Sequence, residues 1–317
     1  MAYAYDAELA PWISMIPDID ITDYETVRAA GASAQLRAML PPYEPPVPVE
    51  KRDLSVPGPE GAPDVPVRVY TPAEAQGPLP CLVYIHGGGF IIGSVEQFDS
   101  QATRVAAEVG AVVVSVEYRL APETPFPGPV EDCYAALTWA AKSAAELGAD
   151  PDRLAVGGES AGGGLAAATA LLARDRGGPA LCCQHLGIPE LDDRLSTPSM
   201  DSYYDTPLWH RRAAEFSWDC YLGKGRRGTA DVSPYAAPAR AEDLTGLPPA
   251  YVTACQFDPL RDEDIAYAQR LAQANVPTEL ALYPGTFHGS QLIGGAEVTK
   301  RMIADGVAAL RRAFGVS

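Results

Sequence analysis

The sequence predicts an α/β protein whose central sheet is mostly parallel and is flanked by helices. Three short apolar runs, residues 81–85, 111–116 and 154–156, are separated by helical patterns at 97–109 and 130–147. Strands that alternate with helices in this way are typical of βαβ units, in which helices cover both faces of the sheet. A chain of 317 residues has room for two domains, or for one α/β body that carries a lid.

The elements around this central part extend the same pattern. Two short helices are expected within the first forty residues, and the proline-rich segment 41–48 then breaks any helix and forms a stiff linker. Residues 65–70 alternate between apolar and polar positions, which predicts a half-buried antiparallel strand. Later in the chain, strands are predicted at 181–188, 249–255 and 278–283, and helices at 262–274 and 296–314.

Residues 191–237 do not follow this alternation of strands and helices. They are rich in Tyr, Trp, Asp and Arg, contain few β-branched residues, and are bracketed by Pro189 and Pro234. We interpret them as an insertion between core strands that is partly helical around 208–221.

The charge of the chain argues against several classes of partner. The 24 basic and 41 acidic residues give a net charge of −17, and the basic residues form no tract. Binding to nucleic acid or to an anionic membrane needs clustered Lys and Arg, so neither partner is expected. The longest apolar run, 161–173, is shorter than the roughly 18 residues that a membrane-spanning helix needs.

Cysteine and histidine usage argues against a structural metal site. The six cysteines and four histidines show no C-x-x-C pair and no metal-ligand spacing. We therefore expect free thiols and no structural zinc site. The first residues are acidic and aromatic and do not resemble an export signal, so the expected compartment is the cytoplasm.

A glycine-flanked serine is the candidate nucleophile. Residues 158–162 read G-E-S-A-G, follow the predicted strand 154–156 and open an alanine-rich helix. Small residues on both sides of Ser160 allow a sharp strand-to-helix turn that exposes the serine hydroxyl, which is the arrangement of the nucleophile elbow. A plain Gly/Ser-rich turn is the alternative, and the position between strand and helix disfavours it.

A second glycine-rich segment lies earlier in the chain, at the end of the predicted strand 81–85. Residues 86–90 read H-G-G-G-F, and three consecutive glycines can expose backbone N–H groups in conformations that other residues rarely adopt. Such a loop can direct two donors at a developing oxyanion, and the N–H of Ala161 would add a third. A phosphate loop is the rival use, but the Lys-Ser/Thr pair of that motif is absent. His86 is expected to brace the loop.

The choice of a catalytic base is narrow. His185 falls inside a predicted buried strand, where a satisfied core histidine is expected, and His210 lies in the insertion. His288 follows the predicted strand 278–283 in a Gly- and Pro-flanked loop. Loops at the carboxyl ends of strands carry the active site in α/β sheets, so His288 is predicted to be the base.

The acid that orients this histidine is expected on a similar loop. Asp258 directly follows the predicted strand 249–255 and precedes Pro259. Three further acids are the alternatives, and they would begin a helix, where the helix dipole explains them: Asp262, Glu263 and Asp264. Position favours Asp258, which gives the chain order Ser160, Asp258, His288.

Together these motifs resemble the hormone-sensitive-lipase-like esterases, also called bacterial family IV carboxylesterases, of the α/β-hydrolase superfamily. The resemblance covers nearly the whole chain and rests on five segments: HGGGF at 86–90, EYRLAPE at 117–123, GESAGG at 158–163, DPLRDE at 258–263 and FHG at 287–289. Some positions depart from the commonest pattern. Glu117 and Glu159 stand where Asp is frequent, Ser290 stands where Phe is common, and His185 and Glu190 add polarity beside the nucleophile.

The resemblance implies an α/β-hydrolase fold with a helical cap. Gly88 and Gly89 would supply oxyanion donors together with Ala161, and Asp258 would be the triad acid. The implied organisation is 1–48 for the N-terminal cap helices and linker, 49–190 for the first part of the core, 191–237 for the cap insertion and 238–317 for the second part of the core.

The expected function is hydrolysis of short- to medium-chain acyl esters through an acyl-enzyme intermediate, without a cofactor. A small ester is the expected partner, and a homodimer is an open option. Two alternatives stay open at this stage. One is a ligand-binding receptor on the same fold, which the presence of His288 disfavours, and the other is an amidase or peptidase, which the triad alone does not exclude. Lipase activity on long-chain triglyceride is less expected because the chain is strongly acidic.

Overall fold

The strands and helices of the protein were located in a computed structural model, which describes residues 3–16, 20–30, 43–73 and 76–316. The strands are β1 Val49–Val56, β2 Val65–Pro72, β3 Leu79–Ile85, β4 Val112–Val116, β5 Ala149–Glu159, β6 Cys183–Gly187, β7 Ala250–Phe257 and β8 Thr278–Phe287. The helices are α1 Ala10–Ile13, α2 Tyr24–Ala30, α3 Asp99–Arg104, α4 Gly128–Lys142, α5 Ala144–Leu147, α6 Ala161–Asp175, α7 Pro198–Ser202, α8 Arg211–Leu222, α9 Arg261–Gln273 and α10 Glu297–Phe314.

The eight strands form one sheet in the order β1-β2-β4-β3-β5-β6-β7-β8. β1 and β2 pair in the antiparallel sense and β2 pairs antiparallel with β4, whereas all neighbours from β4 to β8 are parallel. The predicted α/β class and its mostly parallel sheet are therefore confirmed. The parallel strands bring the ends of β5, β7 and β8 to the same edge of the sheet.

Alternate side chains of the central strands enter different layers of the core. On β4, Val112 and Val114 pack in the large cluster that includes Leu137 of α4 and Leu165 of α6. Val113 packs in a second cluster with Leu310 of α10. Because both faces are covered, the central strands are apolar at nearly every position, which is the pattern that made them recognisable in the sequence.

Several predicted elements have different bounds in the structure. The strand predicted at 154–156 extends over the whole of β5, and the helix predicted at 130–147 is divided at Ser143 into α4 and α5. The helix predicted at 97–109 consists of α3 followed by a π-helical segment, Val105–Gly110. In each case the apolar pattern identified the buried centre of the element and not its ends.

The strand β1 was not predicted. It lies at the edge of the sheet, and most of its residues are exposed, so its sequence has no apolar alternation to mark it. Near the N-terminus, α1 and α2 account for the two short helices that were expected. Residues 31–42, which include the beginning of the predicted linker, lie outside the described part of the chain.

The insertion contains α7 and α8, separated by irregular structure, and α8 begins three residues later than predicted. All six cysteines are free. Within the described residues, the helices are too short or too polar to cross a bilayer.

Candidate active site

Ser160 lies in the sharp turn between β5 and α6. Its φ is +58°, which is unusual for a residue with a side chain. Its N–H donates to the carbonyl oxygen of Gly187 at 2.8 Å, and its own carbonyl oxygen accepts from the N–H of Glu190 at 3.0 Å. These bonds hold a strained backbone conformation in place and leave the hydroxyl directed away from the sheet.

The two flanking glycines are required by close backbone approach. A Cβ at position 158 would lie 2.3 Å from the carbonyl oxygen of Ile85, and one at position 162 would lie 2.1 Å from the same oxygen. The G-x-S-x-G pattern therefore reflects how tightly the turn packs against the end of β3.

A continuous chain of hydrogen bonds joins the three residues predicted for the triad. The hydroxyl oxygen of Ser160 lies 2.9 Å from Nε2 of His288, and Nδ1 of His288 lies 2.8 Å from Oδ2 of Asp258. Asp258 is fully buried, and its Oδ1 accepts the N–H of Leu260 at 2.9 Å. An imidazole protonated on Nδ1 can donate to Asp258 and leave Nε2 free to take the serine proton.

Two of the three alternative acids accept hydrogen bonds elsewhere, and both carboxyl oxygens of the third, Asp264, are buried without a hydrogen-bond partner among the described residues. Asp262 accepts the N–H of Ser199 at 2.8 Å, and Glu263 accepts the N–H of Leu191 at 2.7 Å. Burial raises the pKa of Glu263 and Asp264 well above the usual range of carboxyl groups. Asp262 and Glu263 connect α9 with the insertion, and Asp264 lies buried. Asp258, in contrast, contacts the histidine.

The other histidines also have separate positions. His86 is completely buried, its Nδ1 lies 2.9 Å from the carbonyl oxygen of Gly87, and its ring stacks on Tyr118 with 4.3 Å between centroids. It therefore braces the glycine-rich loop as expected. His210 begins α8, and its Nδ1 accepts the N–H of Ala213 at 3.3 Å.

His185 differs from its predicted role as a core histidine. It lies on β6 with its ring 5.0 Å from that of Tyr251, but its side chain is only half-buried and lines a cavity. The apolar pattern of the strand did not reveal that one of its faces borders open space.

The glycine-rich loop turns back on itself beside Ser160. Gly88 has φ +124° and Gly89 has φ +56°, and the carbonyl oxygen of Gly88 accepts the N–H groups of Ile91 and Ile92. Among the described residues, the N–H groups of Gly88 and Gly89 donate to no backbone carbonyl. Ala161 is the first residue of α6, where an N–H has no partner within the helix. All three groups are thus available as oxyanion donors.

The insertion covers this loop. Ser217 of α8 donates its hydroxyl to the carbonyl oxygen of Gly89 at 2.7 Å. The ring of Trp209 lies so close to Gly89 that a Cβ there would be 2.5 Å from it, and it lies 5.7 Å from the ring of His288. Ser217 could not be identified from the sequence, because nothing distinguishes it from any other single serine on an amphipathic helix.

Glu190 is a buried carboxyl next to the nucleophile. It is fully inaccessible, and the hydroxyl of Ser217 lies 3.5 Å from its Oε1. Burial, followed by the nearby charge of Asp258, raises its pKa well above the usual carboxyl range. The neutral form of Glu190 is therefore favoured next to these residues.

The site shows no arrangement suited to a metal ion. Across residues 3–16, 20–30, 43–73 and 76–316, His, Cys, Asp and Glu form no group of three that could hold one.

Comparison with known proteins agrees with this geometry. Residues 82–292 match a family model described as the alpha/beta hydrolase fold. The chain is 42% identical over 296 residues to carboxylesterase NlhH of Mycobacterium tuberculosis, with 89% of each chain covered. It is 36% identical to an arylesterase of Saccharolobus solfataricus, with 85% of this chain and 86% of the other covered.

Among solved structures, a bacterial heroin esterase superposes with a TM-score of 0.94 at 52% sequence identity, and the superposition covers 98% of both chains. The similarity therefore extends over the complete sheet and the insertion.

Proposed function

Because the chain belongs to the hormone-sensitive-lipase-like esterases of the α/β-hydrolase superfamily, we propose that Ser160, Asp258 and His288 are its catalytic triad. The protein is a carboxylic ester hydrolase of the serine type. The observation that carries the assignment of residues is the unbroken chain of hydrogen bonds from the serine hydroxyl through the imidazole to the buried carboxylate.

The proposed reaction is a two-step acyl transfer. Nε2 of His288 takes the hydroxyl proton of Ser160 as the serine oxygen attacks the ester carbonyl carbon. Asp258 keeps the imidazole in the required tautomer and stabilises the imidazolium that forms. The alcohol leaves with the proton from His288, and water then repeats the sequence on the acyl-enzyme and releases the carboxylic acid.

The oxyanion of each tetrahedral intermediate is proposed to bind the N–H groups of Gly88, Gly89 and Ala161. Loss of one such donor typically raises the barrier by about 3 kcal/mol. The position of the loop beside the serine and the free N–H groups support this role.

We also infer that the preferred substrates are esters with short or medium acyl chains, and that residues 1–48 and 191–237 form a cap over the site. Two residues of that cap contact the proposed catalytic groups: Trp209 packs next to Gly89 with its ring 5.7 Å from that of His288, and Ser217 donates to the carbonyl oxygen of Gly89. The names carboxylesterase, arylesterase and heroin esterase describe relatives that act on esters, and none of them is called a lipase.

The first experiment is a panel of p-nitrophenyl esters from acetate to palmitate, with one anilide of a short acid. We expect kcat/KM to be highest for the short and medium chains, and little turnover of the anilide. Efficient cleavage of the anilide would assign the protein to the amidases instead.

Ser160→Ala should lower kcat on the best ester by at least about a thousandfold, because the nucleophile is lost while binding is retained. Wild-type turnover by this variant would refute the triad. A nearby control is Ser202→Ala, which changes an exposed serine of the insertion and should keep full activity.

A location in the cytoplasm, a homodimeric state and a lack of affinity for nucleic acid stay predictions. Sedimentation equilibrium of the purified protein would decide the oligomeric state.

A further inference from the structure

A second cavity lies behind the nucleophile elbow. It has a volume of about 400 Å³ and is enclosed between the sheet and the helical segments α3, Val105–Gly110 and α10. Its floor is formed by residues from three strands, β3, β6 and β7: Leu82, Tyr84, His185, Gly187, Tyr251 and Thr253. Ser160 and His288 do not line it, so it is separate from the site of ester hydrolysis. A volume of this size is typical of small-molecule binding sites.

Four buried polar atoms at this cavity have no hydrogen-bond partner among the described residues: the hydroxyl oxygen of Tyr84, Nε of Arg104, Nε2 of His185 and Oε1 of Gln291. Nε of Arg104 still forms an ion pair with Glu108 at 3.5 Å. All four residues line the cavity, and Tyr84 is only 5% exposed. A buried polar group without a partner costs about 1–3 kcal/mol, so such groups are usually satisfied by water or by a ligand.

The basic groups that line the cavity are already paired with acids, and burial raises the pKa of Glu159, a further carboxyl in the lining, which favours its neutral form. Arg104 lies 3.5 Å from Glu108 and also over the ring of Tyr43, and Lys300 lies 2.6 Å from Glu297. Much of the remaining lining is apolar, for example Leu82, Val105, Ile188, Met302 and Leu310. The cavity therefore favours a ligand that is uncharged and largely apolar.

The cavity is also lined by two ionisable residues of the neighbouring parallel strands β5 and β6. One is Glu159, which directly precedes Ser160, and the other is His185. Oε2 of Glu159 accepts the side-chain N–H of Gln291 at 3.1 Å, and Gln291 is three residues beyond His288. The polar end of the cavity is thus built from residues that adjoin the catalytic serine and histidine in the chain.

We propose that this cavity is a second small-molecule site, and that it takes an uncharged, ring-bearing alcohol or phenol. The ring packs among the apolar residues between the sheet and α10. The hydroxyl donates to Oε1 of Gln291 and accepts from the hydroxyl of Tyr84, two of the groups that otherwise lack a hydrogen-bond partner. The site is independent of the triad assignment, because none of the three triad residues forms part of it.

The experiment uses the full-length protein and 2-naphthol, which is uncharged at neutral pH and fluorescent. The catalytic pocket is first closed by reacting the enzyme with diethyl p-nitrophenyl phosphate, so that binding to the ester site is blocked. Saturable binding of 2-naphthol with a stoichiometry of one is expected to persist in the closed enzyme. Loss of binding on closure would mean that the probe occupies the ester site, and it would overturn the proposal while leaving the esterase assignment intact.

Two variants locate the bound probe. Gly306 faces the cavity from α10, and a Cβ there would meet only the ring of His185, with Nε2 at 3.3 Å and Cε1 at 3.8 Å. Gly306→Leu fills the space and should weaken binding at least tenfold, whereas Gly295→Leu, at a position with open surroundings, should leave it unchanged. Equal affinity in the two variants would show that the probe binds elsewhere.

Tyr84→Phe removes only the unpartnered hydroxyl, so the fold is expected to stay intact even if Gly306→Leu disturbs it. Loss of one hydrogen bond to the probe should weaken binding about three- to tenfold. Unchanged affinity in Tyr84→Phe would contradict the predicted role of this hydroxyl and overturn the proposal.

Discussion

Ser217→Ala tests whether the insertion holds the oxyanion loop in place. The hydroxyl of Ser217 donates to the carbonyl oxygen of Gly89 at 2.7 Å, and both residues are buried. Alanine removes the donor and leaves that oxygen without a replacement from water. A buried acceptor that loses its partner costs about 1–3 kcal/mol, so the loop will relax away from its present position.

The expected effect is on kcat, because the N–H groups of this loop are proposed to act on the oxyanion of the transition state and not on the resting ester. If the full 1–3 kcal/mol appears in the barrier, kcat falls about five- to 150-fold, and KM changes little. The assay is steady-state hydrolysis of p-nitrophenyl acetate, with Ser202→Ala as a control in the same insertion.

Urea unfolding of the same variants separates the two effects of the lost bond. An unfolding free energy lowered by about 1–3 kcal/mol with kcat unchanged would refute the argument. In that case Ser217 would stabilise the insertion without positioning the loop.

Three further predictions concern stability. Gly162→Ala should lower the unfolding free energy by about 3 kcal/mol or more, since its Cβ would lie 2.1 Å from the carbonyl oxygen of Ile85. The control Gly295→Ala should change the unfolding free energy by less than about 0.5 kcal/mol. Urea titration measures both values, and equal values would contradict the packing argument. Burial lowers the pKa of His86 to about 4, so the neutral form is favoured in the folded state. The unfolding free energy should therefore fall by up to roughly 3 kcal/mol as the pH drops from about 6.5 towards 4. A constant unfolding free energy over that range would be inconsistent with this burial. Burial raises the pKa of Glu190 well above its ordinary value of 4.5, so the folded state retains a proton that the unfolded chain releases. The unfolding free energy should therefore decline as the pH rises above that value. Urea unfolding at pH 5 and pH 8 should show a smaller decline in Glu190→Gln than in the wild type.

The sequence predicted the buried strands and the residues of the triad for a common reason. Strands covered on both faces are apolar at nearly every position, and the loops that follow them carry the conspicuous motifs around Ser160, Asp258 and His288. Both signals are local in the chain. Edge strand β1 gave no such signal, because its exposed residues are compatible with many conformations.

Contacts between distant segments could not be predicted in the same way. The bond from Ser217 to Gly89 joins residues 128 positions apart, and nothing in either segment marks the other as its partner. The half-exposed position of His185 likewise depends on how α10 lies over the sheet. Such features follow from the packing of complete elements and become visible only in the structure.

The order of the strands also affects how activity appears during folding. The hydroxyl of Ser160 and Nε2 of His288 are 128 residues apart in the chain, and they meet only when β5, β6, β7 and β8 are paired in register. Pairing of such distant parallel strands is slow because each loop must close before its contacts can form. Recovery of esterase activity after dilution from denaturant should therefore lag behind the recovery of helical circular dichroism, and enzyme turnover would serve as a reporter of the last step of assembly.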